Sequence, residues 1–85
     1  MAAYRWIVAD EAVRILDVLT RRQRQVLFRH FDHLAAFPDQ ATEDVVRYGR
    51  KVPVQIKTFG LWRITWWIDG PVREVHILDI EKVRR

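Results

Sequence analysis

The sequence contains no cysteine, which excludes disulfides and thiolate metal sites and fits a reducing compartment. It has no apolar run near the roughly eighteen residues of a membrane span, and Met1 to Val8 carries neither a basic leader nor a long apolar core. A soluble, cytoplasmic chain without membrane contact is therefore expected. No repeat, low-complexity segment or linker interrupts it. Acids are missing where bases are dense: Arg47, Arg50, Lys51, Lys57 and Arg63 follow one another with no Asp or Glu among them.

What is present suits one small domain. A chain of 85 residues buries only about 60 to 65% of the surface its unfolded form exposes, so its core must be efficient. Four Trp, four Phe and two Tyr supply large apolar area per residue. Fifteen basic against eleven acidic residues give a net charge of +4. Such a field attracts polyanions or an acidic protein partner. For a second basic cluster, Arg21, Arg22, Arg24 and Arg29, a solvated helix face is the ordinary explanation. The cluster from Arg47 to Arg63 leads into a sheet and is the stronger candidate.

The organising stretch is Leu61 to Asp69. Trp62, Ile64, Trp66 and Ile68 fall on one face at period two, and Arg63, Thr65, Trp67 and Asp69 on the other, which reads as a strand. Tyr4 to Val8 predicts a short first strand. Asp10 is placed as an N-cap, followed by a helix with Ala12, Ile15, Leu16 and Leu19 inward. Thr20 and Gln23 have capping-box spacing and open a second helix that buries Leu27, Phe31 and Leu34 and ends before Pro38. Asp39 to Gly49 reads as a loop. Val52, Val54 and Ile56 predict a strand that Pro53 marks as an edge. Phe59-Gly60 turns the chain, and Asp69-Gly70-Pro71 turns it again into a last strand, Val72 to Ile80, followed by a basic tail, Glu81 to Arg85. That strand has apolar residues on both faces, so register decides which is inside. The expected fold class is α+β in two layers, β-α-α-β-β-β, with a helix hairpin over one face of a largely antiparallel sheet. The opposite face, with Gln55, Lys57, Arg63, Thr65 and Trp67, would be an open basic surface for RNA phosphates and a stacked base.

This order of elements, Leu34-Ala35-Ala36-Phe37-Pro38 closing the hairpin, and Gly60-Leu61-Trp62-Arg63-Ile64-Thr65-Trp66 together resemble the RelE/ParE superfamily of bacterial type II toxin–antitoxin toxins. The resemblance implies one of two activities: a ribosome-dependent mRNA endoribonuclease, RelE-like, or a DNA gyrase inhibitor, ParE-like. It also implies a cognate antitoxin that masks the basic surface, and an inactive member would remain as an interaction module. For the nuclease, the resemblance gives catalysis to Arg63, Lys57 and a C-terminal arginine, Arg84 or Arg85; the charge pattern adds RNA binding by Arg47, Arg50, Lys51 and Arg85, and Trp67 either stacks a base or is covered by an antitoxin or a second copy. The 2′-OH attacks the adjacent phosphate, so a base, an acid and a phosphate-holding cation are needed and no metal or other cofactor is required. A second lysine position of the family falls on Gln55, and the family's C-terminal tyrosine has no counterpart. His76 would serve as acid or base if the last strand turns it to the open face. His30 and His33, three apart, are two ligands, fewer than a zinc site uses.

Overall fold

The computed structural model describes residues 4–39, 44–46 and 53–83, with side chains for all but 44–46. In chain order the elements are strand β1 (Arg5–Val8), helices α1 (Asp10–Asp17) and α2 (Arg21–Ala36), and strands β2 (Asp44–Val46), β3 (Val54–Phe59), β4 (Trp62–Asp69) and β5 (Glu74–Lys82). They form one sheet ordered β1-β5-β4-β3-β2. β1 runs parallel to β5 and the other pairs are antiparallel. The two-layer α+β architecture follows from the sequence as expected, with one short strand added.

Local chemistry explains the helices. Thr20 and Gln23 form the full capping box: Thr20 Oγ1 accepts from the Gln23 amide at 3.1 Å, and Gln23 Oε1 accepts from the Thr20 amide at 2.9 Å. Pro38 lies two residues beyond the last residue of α2. Asp10 is the first helical residue of α1 rather than its cap, which is Ala9 without a side-chain hydrogen bond. A carboxylate there acts through the positive end of the helix dipole. Arg24 donates to the Leu16 and Leu19 carbonyls at 3.2 and 2.8 Å and so closes the end of α1.

The inner face of β4 is the core. Trp66 and Ile64 are fully buried, and with Trp62 they meet Leu27, Phe31 and Leu34 of α2 and Ala12 and Leu16 of α1. At about 25 cal/mol per Å² this burial is the main favourable contribution to folding. Trp6 of β1 stacks on Phe28 at 5.5 Å and donates its indole N–H to Asp32 at 2.9 Å, pinning the first strand to α2.

Two expectations need correction, and the structure supplies the register that the sequence left open. Asp44–Val46 is a strand paired with β3, so β3 is not an edge; Pro53 precedes it, where its missing donor is harmless. The turn after Asp69 extends through Arg73, whose φ of 55° is left-handed, and β5 starts at Glu74 and absorbs Glu81 and Lys82 from the expected tail. Finally, the pairing slips: Trp66 faces Ile77, while Thr65 faces Asp79. Leu78 is the extra residue of a β-bulge. The slip is what lets Val75, Ile77 and Ile80 all point inward despite their broken alternation.

Candidate functional site

On the outer face, β4 sets Arg63 between Thr58 of β3 and Glu81 of β5, Thr65 between Ile56 and Asp79, Trp67 opposite His76, and Asp69 opposite Glu74. Arg63 is exposed. His76 does turn to this face, and its ring stacks on Trp67 at 4.3 Å with an interplanar angle of 11°. Arg5 reaches Glu74 from β1 with Nε at 3.1 Å and Nη2 at 2.7 Å. Arg63 and Trp67 are four residues apart on one strand, which at about 3.3 Å per residue separates the arginine from the Trp67–His76 pair by about 13 Å. A single phosphate does not span that gap.

Lys57 and Gln55 are not on this face. Lys57 pairs with Ile64 and Gln55 with Trp66, so both leave the sheet on the helix side. The cause is the two-residue loop Gly60–Leu61, with glycine at a φ of 61°. It pairs Phe59 with Trp62, and counting back by twos puts Lys57 inward. The loop length was readable in the sequence, and it was the signal for this placement. The Lys57 ammonium lies 5.4 Å from the Phe59 ring centroid.

Nor is the outer face uniformly basic. Among the described residues its β1, β4 and β5 positions carry Asp69, Glu74, Asp79 and Glu81 against Arg5 and Arg63. Val54 and Ile56 of β3 stand on it as buried apolar residues. Arg47, Arg50, Lys51, Arg84 and Arg85 lie outside the described residues, as does Val52. Of the second cluster, Arg24 is committed to capping α1.

A feature absent from the sequence reading lies on the helix side, at the tip of the β3–β4 hairpin. A groove of about 260 Å³ opens between α2 and the hairpin, lined by Gln23, Val26, His30, Gly60, Leu61, Trp62 and Lys82. Leu61 and Val26 stay 45% and 37% exposed on its rim. The Val83 amide donates to the Leu61 carbonyl at 2.8 Å and holds the tip against the end of β5. His30 packs on Phe59 at 5.4 Å. Burial, and then the neighbouring His33, hold its pKa below the ordinary imidazole value. An apolar residue at a hairpin tip was the signal available for this groove.

No family model matches the sequence, and no curated protein matches it significantly. Solved structures do match in backbone. A chain of the archaeal RelE–RelB complex from Pyrococcus horikoshii OT3 is 16% identical, with a TM-score of 0.74 over 100% of this chain and 99% of that one. A chain of the toxin–antitoxin complex RelBE2 from Mycobacterium tuberculosis is 20% identical, with a TM-score of 0.74 over 93% of this chain and 96% of that one. The isolated RelE toxin of E. coli is 14% identical, with a TM-score of 0.67 over 98% of this chain and 87% of that one. At such identities the likeness resides in element order and sheet topology, and on that ground the chain has the fold of the RelE toxins.

Proposed function

We propose that this chain is the toxin of a type II toxin–antitoxin system and that it arrests translation by cutting mRNA on the ribosome, as RelE-like toxins do. The observation that carries this reading is the whole-length likeness in fold to RelE chains, two of them solved within RelE–RelB-type complexes. Arg63, exposed at the middle of the sheet, holds the scissile phosphate with its planar fork. Arg47, Arg50, Lys51 and Arg85 bind the RNA backbone, Arg84 adds a second cation, and Trp67 presents a stacking surface. Lys57 leaves the sheet on the other side, so it has no part in taking the 2′-OH proton or in holding the scissile phosphate beside Arg63. The antitoxin seats an apolar side chain in the groove between α2 and the hairpin tip, beside Lys82.

A second reading, a ParE-like gyrase inhibitor without nuclease activity, is favoured by one observation. Among the described residues no lysine or histidine flanks Arg63 on the outer face: Glu81 faces it, Lys57 is on the opposite face and His76 is beside Trp67. Induced expression in a bacterial host, with primer-extension mapping of abundant mRNAs, separates the two. Cuts within translated frames that disappear in Arg63→Ala, with folding retained, are the expected result. Growth arrest with intact mRNA transfers the target to gyrase, and absence of arrest leaves an inactive interaction module.

A further inference from the structure

We infer that Asp69, Glu74 and His76 form a binding site for one divalent transition-metal ion of the zinc class. The site lies at the corner of the sheet where β4 ends, β5 begins and β1 runs alongside. It is independent of the toxin reading and about 13 to 20 Å from Arg63 along β4, from His76 at the near end to Asp69 and Glu74 at the far end.

One donor atom from each residue lies within 4.8 Å of the other two, and all three side chains are half-buried. His76 Nε2 and Glu74 Oε1 are 3.3 Å apart. Two ligands of a tetrahedral zinc ion, each about 2.0–2.1 Å from the metal, stand about 3.3 Å apart. His76 Nε2 is shielded from solvent and makes no hydrogen bond; its 3.3 Å approach to Glu74 Oε1 is an ion pair only when the ring is protonated, and the neutral ring is left without a donor or acceptor there. A buried ring nitrogen in that condition costs free energy unless something occupies its lone pair. The Asp69 carboxylate, on the strand position paired with Glu74, completes a three-donor set of one imidazole and two carboxylates. Two carboxylates balance the charge of a divalent ion, and a nitrogen ligand selects zinc-class ions over magnesium.

The surroundings orient these donors. Arg5 places both Nε and Nη2 on Glu74 Oε2, which leaves Oε1 directed at His76. A hydrogen-bonded carboxylate behind the ligating oxygen is the usual outer support of a metal site. Trp67 stacks flat on the imidazole and fixes its plane. These contacts come from β1 and β4, so the site is assembled only in the folded sheet, and binding would stabilise the fold.

Isothermal titration of the untagged full chain with Zn2+ tests this, with Mg2+ as the control ion. One Zn2+ per chain is expected, with Mg2+ giving no heat. Asp69→Asn, close to isosteric, should weaken binding at least tenfold, as should Glu74→Gln and His76→Ala, with folding of each verified by circular dichroism. The double variant His30→Ala/His33→Ala should bind as the parent does. Failure of the parent to bind Zn2+ overturns the proposal. So does binding that survives Asp69→Asn and His76→Ala, or that is lost in the His30/His33 variant, because it would then belong to α2.

Discussion

His30 lies three residues before His33 on α2, spacing that suggests a pair of ligands, yet its ring is spent on packing against Phe59 at 5.4 Å. Burial disfavours its cation, and His33 adds to that effect, so its pKa in the folded chain lies below the ordinary value of about 6.5. The unfolded chain then binds more protons as pH falls through that value. Stability is full above about pH 6.5 and declines below it. Urea midpoints measured at about pH 7.5 and about pH 5.5 should show the loss. His30→Phe should flatten it relative to the parent; an unchanged slope would assign the acid sensitivity to other groups. The residue type was visible in the sequence, but its environment was not, because Phe59 reaches it only through the hairpin register. Arg24 is similar: it reads as one charge of a basic cluster, and it donates to the Leu16 carbonyl at the end of α1 and to the Leu19 carbonyl just beyond it.

Elements with a local chemical signature were legible, and elements defined by a partner were not. Thr20 and Gln23 specify the start of α2 by hydrogen bonds within four residues of one another. Thr20→Ala should therefore cost about 1 kcal/mol, read as a lower urea midpoint with unchanged slope. A loss near zero would mean that burial of Leu27, Phe31 and Leu34 alone sets the helix. β2 offers no such signature, since Asp44–Val46 is three residues long and exists by pairing with β3. The bulge at Leu78 is likewise a property of two strands together: β5 is apolar on both faces, and only the shifted pairing with Thr65 and Trp66 selects which residues enter the core. The same limit produced the misplacement of Lys57. Alternation correctly placed Arg63 and Trp67 away from the helices. It could not relate β3 to β4 without the two-residue count across Gly60–Leu61.

At the scale of the molecule, the sheet separates two surfaces to which the proposed toxin reading gives different partners. Arg63, Trp67 and His76 occupy the outer face, and the groove between α2 and the hairpin tip opens on the helix side. If the outer face acts on the target and the groove receives the antitoxin, the two functions are mutationally separable. Leu61→Asp tests this, because Leu61 is 45% exposed on the groove rim and outside the buried core, so the change should leave the fold intact. A carboxylate there opposes an apolar anchor by desolvation, an effect large enough to weaken a partner by tenfold or more. On the proposed reading, when the chain is co-expressed with a candidate antitoxin that neutralises the parent, the Leu61→Asp chain should still arrest growth and should no longer be neutralised or co-purify with that partner. Arg63→Ala should do the reverse, binding antitoxin normally while losing toxicity. If Leu61→Asp instead abolishes toxicity and leaves antitoxin binding unchanged, the groove is the target-facing surface, and the assignment of the two faces is inverted.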